Sequence, residues 1–160
     1  MTDLRVGIGV DAHAFADGIP LHLGGIELDS PRGLAGHSDG DVITHALIDA
    51  LLGAAGLGDI GELFPSDDAE LEGISSLEML TRAYDVVKSV GFEVVNADCV
   101  LVGEEPQIAP FRDAMRKRLA DCLGVDAGHV TVRATTTDKL GFTGRGEGLA
   151  AQAVALVRRF

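Results

Sequence analysis

Residues 36–49 read Gly-His-Ser-Asp-Gly-Asp-Val-Ile-Thr-His-Ala-Leu-Ile-Asp, and an apolar continuation follows them. Two histidines and three aspartates within so short a stretch mark it as a candidate functional segment. Ser38 is a favourable N-cap, and Asp41, three residues later, can complete a capping box. The stretch therefore predicts a loop that enters a helix over residues 40–52.

Polar side chains repeat along one face of this predicted helix. Asp41, His45 and Asp49 are spaced four residues apart, so they lie one above another. A histidine between two carboxylates, beside an apolar stripe, is costly unless it has a partner. One interpretation is a hydrogen-bonded structural histidine with solvated aspartates, because structural networks also produce such clusters. The other is a metal ligand, with Asp49 orienting His45 from behind.

A second stretch favours the metal interpretation. Residues 6–10 form an apolar β-type run that leads into Asp11-Ala12-His13. Alternate residues of an extended chain point to the same side, so Asp11 and His13 can converge on one ion. With His45 as the third ligand, two histidines and one carboxylate suit Zn²⁺, and Mn²⁺ less well.

The composition favours one globular domain, with few function classes left open. Hydrophobic residues make up 46% of the chain and aromatic residues 4%, so the core is expected to be aliphatic. The formal charge is −12, and without a visible basic patch we expect no nucleic-acid partner. Without a recognisable signal peptide or membrane span, we expect a cytoplasmic protein. Cys99 and Cys122 are expected to be reduced.

The remaining patterns predict a mixed chain of strands and helices. Strands are expected over residues 4–10, 93–102 and 129–135, with a tight hairpin at 21–28. Further helices are expected over residues 75–90, 111–123 and 149–158. This order predicts an α/β (α+β) fold: a small mixed four-stranded sheet with helices over one face, plus the short hairpin.

Two polar, glycine-rich segments are candidates for ligand contacts. Residues 53–68 form a long loop with several aspartates, which is interpreted as either a flexible surface lid or a substrate-covering loop. Residues 135–148 combine three threonines with Asp138, Lys139 and Arg145 among glycines. Hydroxyls, backbone N–H groups and a cation can hold a phosphate, although a glycine-rich turn is the commoner explanation.

These segments together resemble the 2-C-methyl-D-erythritol 2,4-cyclodiphosphate synthase family over nearly the whole chain, as one domain over residues 1–160. The matching motifs, in the family's order, are Gly9-x-Asp11-x-His13-x-Phe15, Leu23-Gly24-Gly25, Gly36-His37-Ser38-Asp39-Gly40-Asp41, Asp49-Ala50-Leu51-Leu52-Gly53-Ala54, Leu57-Gly58-Asp59-Ile60-Gly61, Phe64-Pro65 and Thr135-Thr136-Thr137-x-Lys139-Leu140-Gly141-Phe142-Thr143-Gly144-Arg145-Gly146-Glu147-Gly148.

The resemblance implies a lyase of the non-mevalonate isoprenoid pathway. Such an enzyme cyclises 4-diphosphocytidyl-2-C-methyl-D-erythritol 2-phosphate to 2-C-methyl-D-erythritol 2,4-cyclodiphosphate and releases CMP. The resemblance implies a homotrimer with active sites between neighbouring subunits. It also implies zinc, or another divalent transition metal, in the site and a second divalent ion, Mg²⁺ or Mn²⁺, on the substrate diphosphate.

Roles for particular residues follow from the same resemblance. Asp11, His13 and His45 would hold the zinc, and His37 and Thr136 would position and stabilise the transferring phosphates. Asp138 would help to hold the second metal. The implied substrate-binding residues are Asp11, His13, Ser38, Asp59, Ile60, Gly61, Phe64, Pro65, Ser66, Asp67, Asp68, Gly103, Pro106, Gln107, Ile108, Ala109, Thr135, Thr137, Asp138, Lys139, Phe142 and Arg145.

Three positions bear on ligand binding, and two of them depart from the family's pattern. Arg145 would lie near the trimer axis, where it could bind an isoprenoid diphosphate. Asp138 stands where many relatives carry Glu, so its arm is shorter by one methylene. Gln107 stands where many relatives carry Lys, so metal ions and backbone groups would have to hold more of the phosphate charge.

Two other functions stay open on the sequence alone. A metal-dependent phosphodiesterase or nucleotide hydrolase would use the same ions with water as the nucleophile. A zinc-containing oligomer that binds isoprenoid diphosphates without catalysis would use its metal for folding. Reaction products distinguish the first alternative, and the stability of a His45→Ala variant distinguishes the second.

Overall fold

The computed structural model describes residues 2–160. Its strands are β1 (Leu4–Asp17), β2 (Leu21–Leu23), β3 (Ile26–Leu28), β4 (Arg32–Leu34), β5 (Phe92–Val102), β6 (Val130–Thr135) and β7 (Gly148–Arg159). Its helices are α1 (Val42–Ala54), α2 (Ile60–Leu63), α3 (Ser76–Ser89), α4 (Arg112–Leu123) and α5 (Gly141–Gly144). Short 3₁₀ turns occur at Ala69–Leu71, Ala109–Phe111 and Ala127–His129. Within this range no helix combines the length and the apolar character needed to cross a membrane.

Five strands form the main sheet, in the order β4-β1-β7-β5-β6. All neighbours run antiparallel except β5 and β6, which are parallel, so the sheet is mixed. Strands β2 and β3 form the predicted hairpin, and both turn residues, Gly24 and Gly25, have positive φ. The predicted mixed α/β class is confirmed, with five strands in the main sheet instead of four.

The segment over residues 149–158 is a strand, so the predicted final helix is wrong. This strand, β7, lies at the centre of the sheet, between β1 and β5. Its alanines favour a helix by intrinsic propensity, but alternate residues from Leu149 to Val157 are buried. The pairing with two neighbouring strands outweighs local propensity here, and Arg158 belongs to a strand end rather than a helix end.

Helix α1 packs directly on β1 because two glycines leave no side chain between them. A Cβ atom at Gly7 would lie 2.0 Å from a backbone oxygen of α1, and one at Gly9 would lie 1.9 Å from another. Most of α1 is buried as a result. The close approach brings His45 of α1 next to Asp11 and His13 of β1.

Asp41, rather than the predicted Ser38, caps the N-terminus of α1. Its buried carboxylate accepts hydrogen bonds from the N–H group and the hydroxyl of Thr44, at 3.0 and 2.7 Å. It also accepts from the N–H groups of Gly24 and Gly25, at 2.9 and 2.8 Å. Four donors compensate the burial of this charge, and they fasten the hairpin turn to the start of the helix.

The capping box predicted for α3 is absent as well. Ser75 precedes the helix but makes no side-chain capping bond. Glu78 forms an ion pair with Arg82, one turn later, instead of reaching back to the helix start. The bounds of α3 nevertheless agree with the prediction to within one residue, because the apolar stripe of the helix fixes its position.

The two cysteines are free thiols, as predicted. Cys99 is buried in β5, and Cys122 is half-buried in α4. Burial raises the pKa of the Cys99 thiol to about 12, so this side chain stays protonated and unreactive at neutral pH.

Helices cover one face of the main sheet and leave the other open. Helices α1, α3 and α4 contact the sheet. Along β1, the residues that alternate away from the helices are apolar and exposed, and β7 adds a similar residue. We call this surface the open face; its residues, between 44% and 68% exposed, are Val6, Ile8, Val10 and Val154. Ile8 and Val154 lie directly opposite each other in the strand pair.

Adding one methyl group at Gly9, by substitution with alanine, tests the close contact between α1 and β1. Gly9→Ala should lower the free energy of unfolding by roughly 2–3 kcal/mol, because the helix cannot give way without repacking. Urea unfolding at a fixed protein concentration measures this loss. Gly128→Ala is the control, since a Cβ atom there meets nothing within 4 Å. Equal stability of the two variants would contradict the packing argument.

Candidate metal centre and adjoining cavities

Asp11, His13 and His45 meet where α1 crosses β1. Their candidate ligand atoms all lie within 4.8 Å of one another. The Oδ2 atom of Asp11 is 2.9 Å from Nε2 of His13 and 3.1 Å from Nδ1 of His45. The structure therefore brings together the three residues that the sequence predicts as metal ligands.

The far side of His13 fixes which of its nitrogens can bind a metal. Nδ1 of His13 lies 2.6 Å from the carbonyl oxygen of Ala35. A carbonyl oxygen can only accept, so Nδ1 carries a proton, and Nε2, which faces Asp11, is the nitrogen that can give up its proton to bind a metal. Two imidazole nitrogens and a carboxylate oxygen suit zinc or a similar divalent transition ion.

Opposing effects act on the pKa values of the cluster. Burial raises the pKa of Asp11, but hydrogen bonds with the rings of His13 and His45 lower it, and the net pKa lies below the usual value. The hydrogen bond with Asp11 is the main reason that the pKa of His13 is raised. Asp11 is therefore ionised at neutral pH, as a metal-binding carboxylate has to be.

A cavity of about 310 Å³ opens over the cluster. The predicted site residues that line it are Asp11, His13, His37, Ser38, His45, Ile60, Gly61, Phe64 and Ser66. Three apolar residues that no motif marked complete the wall: Leu71, Ile74 and Met79. A site with one polar, ligand-bearing side and one apolar side can orient a ligand that carries both kinds of group.

The predicted lid over residues 53–68 contains the short helix α2, and two of its acids cap backbone turns. Asp59 accepts the N–H group of Glu62 at 3.0 Å and so starts α2. Asp68 accepts the N–H group of Glu70 at 3.0 Å. The other predicted lid residues, Pro65 and Asp67, are exposed and do not line the cavity.

His37 ties the loop before α1 to this lid. Its Nε2 atom lies 2.9 Å from the carbonyl oxygen of Asp68. Its own carbonyl oxygen accepts the N–H group of Gly73 at 2.8 Å. The ring of His37 therefore stands at the cavity wall with one nitrogen engaged by backbone.

Asp49 holds the lid rather than His45, so the predicted orienting role is wrong. Its Oδ1 atom accepts the N–H group of Ile60, the first residue of α2, at 2.7 Å. Both ring nitrogens of His45 contact other side chains. Burial is the main cause of the raised pKa of Asp49.

The residues predicted to bind the nucleotide and its phosphates lie together, away from the cavity over Asp11, His13 and His45. The N–H group of Gly103 donates to the carbonyl oxygen of Thr135 at 3.0 Å, which joins two loops where the parallel strands β5 and β6 end. Two adjoining cavities of about 390 and 410 Å³ lie beside these loops. Lys139 and Arg145 line one cavity, and Pro106 and Gln107 line the other. None of these residues lines the metal cavity.

The loop after β6 is a tight turn with an unusual backbone. Asp138 and Lys139 have φ values of 51° and 67°, in the left-handed region that few non-glycine residues adopt. The Thr136 hydroxyl accepts the N–H group of Asp138 at 3.2 Å. A Cβ atom at Gly144 would lie 2.2 Å from the carbonyl carbon of Lys139. Such strain in a polar loop is typical of ligand-binding sites.

The predicted ligand-binding residues differ in how far their side chains are free to contact a ligand. Ile108 is 2% exposed and packs in the core, so only its backbone can reach a ligand. Phe142 is 44% exposed, and Arg145 pairs with Glu147 at 2.8 Å. Thr137 donates its hydroxyl to the carbonyl oxygen of Leu140 at 2.6 Å, so part of the threonine run supports the turn itself.

Two residues that contact these sites could not be predicted from the sequence, because no motif or spacing marks them. Ser76 is fully buried, and its hydroxyl lies 2.8 Å from Nε2 of His45. It follows Ser75, and spacing alone cannot tell two adjacent serines apart. Arg32 stacks on the Phe15 ring at 3.8 Å and donates to the carbonyl oxygen of Gly146 at 3.1 Å.

The mixed sheet, its single layer of helices and the Asp-His-His cluster define an α/β protein with a candidate metal centre. The family model described as the YgbB family matches residues 4–158. The chain belongs to the YgbB family.

Named relatives match along most of the chain. It is 54% identical over 162 aligned residues to the 2-C-methyl-D-erythritol 2,4-cyclodiphosphate synthase of Rubrobacter xylanophilus, covering 99% of this chain and 98% of that protein. The bifunctional IspDF of Campylobacter jejuni superposes with a TM-score of 0.96 at 43% identity, and the match covers all of this chain but 43% of that one. A CDP-bound 2C-methyl-D-erythritol-2,4-cyclodiphosphate synthase superposes with a TM-score of 0.87 at 37% identity, covering 96% and 99% of the two chains.

The contact between Asp49 and the lid predicts a local effect on backbone opening. Asp49→Ala should speed amide hydrogen exchange at Ile60 by about fivefold, because that N–H group loses a hydrogen bond worth about 1 kcal/mol. Asp49→Asn keeps an oxygen acceptor and should exchange at the wild-type rate. Unchanged exchange in Asp49→Ala, measured by NMR, would argue against the anchoring role.

Proposed function

We propose that this protein is a 2-C-methyl-D-erythritol 2,4-cyclodiphosphate synthase. It would convert 4-diphosphocytidyl-2-C-methyl-D-erythritol 2-phosphate to 2-C-methyl-D-erythritol 2,4-cyclodiphosphate and CMP, as a cytoplasmic enzyme of the non-mevalonate isoprenoid pathway. The observation that carries the proposal is the convergence of Asp11, His13 and His45 over a cavity. The full-length similarity to synthases of that name supports it.

Asp11, His13 and His45 would hold the site metal, zinc or another divalent transition ion. Such an ion, when bound, supplies Lewis-acid polarisation of a phosphoryl oxygen. The protein's own contribution is the ionised Asp11 and a His13 ring that its backbone partner holds with Nε2 facing the cluster. A chain with a formal charge of −12 needs such a cation to accept an anionic substrate.

The proposed reaction joins two anions of one substrate. An oxygen of the 2-phosphate forms a bond to the β-phosphorus of the diphosphate, and the bond from that phosphorus to the bridging oxygen breaks, so CMP leaves with that oxygen. Positioning of the two groups can supply about 7–11 kcal/mol of the barrier. His37 and Thr136 are the residues proposed to hold the phosphates in place.

Two groups of residues would hold the two ends of the substrate. Ser38, Asp59–Gly61 and Phe64–Asp68 are proposed to surround the methylerythritol unit. Gly103, Pro106–Ala109 and Thr135–Thr137 are proposed to hold the cytidine and its phosphates, where exposed backbone groups of two loop ends can read the base. The CDP in the solved relative supports a cytidine nucleotide as ligand.

The second metal and the cations would act on the diphosphate. Asp138, whose side chain is exposed, is proposed to help hold Mg²⁺ or Mn²⁺. Lys139, in the same turn, is proposed to contribute a positive charge. Phe142 and Arg145 are proposed to lie near a trimer axis, where Arg145 could bind an isoprenoid diphosphate.

A homotrimer would bring the two residue groups together. Within one chain, the metal cavity and the nucleotide loops have no lining residue in common. The open face presents Val6, Ile8, Val10 and Val154 to solvent, and contiguous apolar side chains of this kind mark subunit contacts. We propose that three copies of the domain over residues 1–160 pack through this face, so that one chain's nucleotide loops adjoin its neighbour's metal cavity.

Phosphorus NMR of the protein with its proposed substrate, Zn²⁺ and Mg²⁺ tests the reaction. A cyclic diphosphate and CMP should appear in equal amounts. His45→Ala should lose at least about 100-fold in activity, since a metal contributes several kcal/mol to the transition state. His22→Ala, a histidine of the hairpin outside the site, should keep wild-type activity.

Other outcomes would favour the alternative functions. Linear phosphates as products would identify a phosphodiesterase or nucleotide hydrolase. An unfolded His45→Ala protein, together with no turnover by the wild type, would indicate that the metal is structural and that the protein binds isoprenoid diphosphates without catalysis. Circular dichroism of the variant separates loss of folding from loss of activity.

The proposed trimer predicts the effect of a charge on the open face. Ile8→Arg places a guanidinium among apolar side chains that would pack on a neighbouring copy, so the trimer should dissociate and activity should fall with it. Light scattering after size exclusion should then give the mass of one chain. Val90→Arg is the control, because Val90 is exposed at the end of α3, off the sheet. A trimeric Ile8→Arg protein would rule out this face.

A further inference from the structure

A hydrogen-bonded chain runs from His45 away from the metal cluster. The Nε2 atom of His45 lies 2.8 Å from the hydroxyl of Ser76, a fully buried residue at the start of α3. That hydroxyl donates to Oδ1 of Asp39, and the N–H group of Ser76 donates to Oδ2 of the same carboxylate at 2.9 Å. The three residues come from two helices and the loop before α1.

The order of donors along this chain fixes the proton on His45. A carboxylate can only accept hydrogen bonds, so the one hydroxyl proton of Ser76 goes to Asp39. The Ser76 oxygen is then an acceptor toward His45, and Nε2 has to carry the ring proton. The opposite tautomer would place two lone pairs face to face at 2.8 Å. Nδ1, which faces Asp11 at 3.1 Å, is then the nitrogen that can give up its proton to bind a metal.

We propose that Ser76 and Asp39 are positioning residues that hold His45 in the tautomer and ring orientation that metal binding requires. This inference rests on the proposed metal role of His45. Partners behind a ligating histidine typically change metal affinity by about 10–100-fold when they are removed. His13 has an equivalent partner in the carbonyl oxygen of Ala35, so each of the two histidines is held from behind.

Asp39 is itself held in place for this role. Besides the two bonds from Ser76, its Oδ1 atom accepts the N–H group of Asp41 at 3.2 Å. Asp41 is the N-cap of α1, the helix that carries His45. The carboxylate therefore links the start of α1 to the start of α3, and the ring of His45 lies between them.

Ser38 offers an internal comparison. Its hydroxyl lies 3.0 Å from the same Nε2 atom of His45. Among residues 2–160, however, the Ser38 hydroxyl has no second hydrogen-bond partner, so nothing directs its proton, and it can accept or donate. The proposal therefore assigns the effect on His45 to Ser76 and Asp39, and it assigns little to Ser38.

The first test measures which ring nitrogen of His45 carries a proton in the metal-free protein. Nitrogen NMR of the His45 ring at neutral to alkaline pH should show a proton on Nε2 in the wild type and in Ser38→Ala. Ser76→Ala should show Nε2 only partly protonated. Asp39→Asn should shift the same signals, because one amide oxygen cannot accept all three donors. A wild-type ring without a proton on Nε2 would overturn the proposal.

The second test measures Co²⁺ and Zn²⁺ affinity by competition with a chelator. Ser76→Ala and Asp39→Asn should bind both ions about 10–100-fold more weakly than the wild type, with a changed Co²⁺ absorption spectrum. Ser38→Ala should keep the wild-type affinity. If Ser76→Ala fails to fold, Asp39→Asn, at a half-buried position, decides the matter. Wild-type affinity in Asp39→Asn, or an equal loss in Ser38→Ala, would overturn the inference.

The two tests separate this inference from the proposed function. A wild-type protein that binds no Co²⁺ would contradict the metal role of the cluster, while the ring NMR would still decide the tautomer. A wild-type protein that binds Co²⁺ and makes the cyclic product, with unaffected variants, would contradict only the role of Ser76 and Asp39.

Discussion

The contact between α1 and β1 is the constraint on which the rest of the structure depends. Gly7 and Gly9 let a helix backbone lie directly against a strand backbone, so the distance between the two elements is fixed by main-chain atoms. Rigid elements position ligands more accurately than loops do. Because β1 carries Asp11 and His13 and α1 carries His45, the geometry of the cluster follows from this backbone contact.

Several aspartates of this acidic chain serve as acceptors for its own backbone. Asp41 fastens the hairpin to α1, Asp49 fastens the lid, Asp59 starts α2, and Asp39 joins the two helix starts near His45. Carboxylates that accept N–H groups are stabilised in their charged form. A high count of acids is therefore compatible with a site that binds an anion, since many of these charges already face donors of the fold.

The sequence predicted the features that depend on local spacing. Asp11 and His13 alternate along a strand and His45 lies on a predicted helix, so the candidate metal cluster could be predicted from spacing. The hairpin could be predicted from its Gly24-Gly25 turn. The C-terminal strand was missed because its alanines favour a helix, while its conformation depends on two neighbouring strands. Ser76 was missed for a similar reason, since its contact with His45 depends on how distant helices pack rather than on its neighbours in sequence.

The position of β7 in the sheet has a consequence for how the chain folds. Its pairing with β1 joins Leu4 to Arg158, and its pairing with β5 completes the other side. A sheet whose central strand comes last in the sequence has a high contact order, and loop closure must precede most of its stabilising pairs. We therefore expect the hairpin and the helices to form early, with the sheet, and the surface that a neighbouring copy would need, completed in the slow final step of folding.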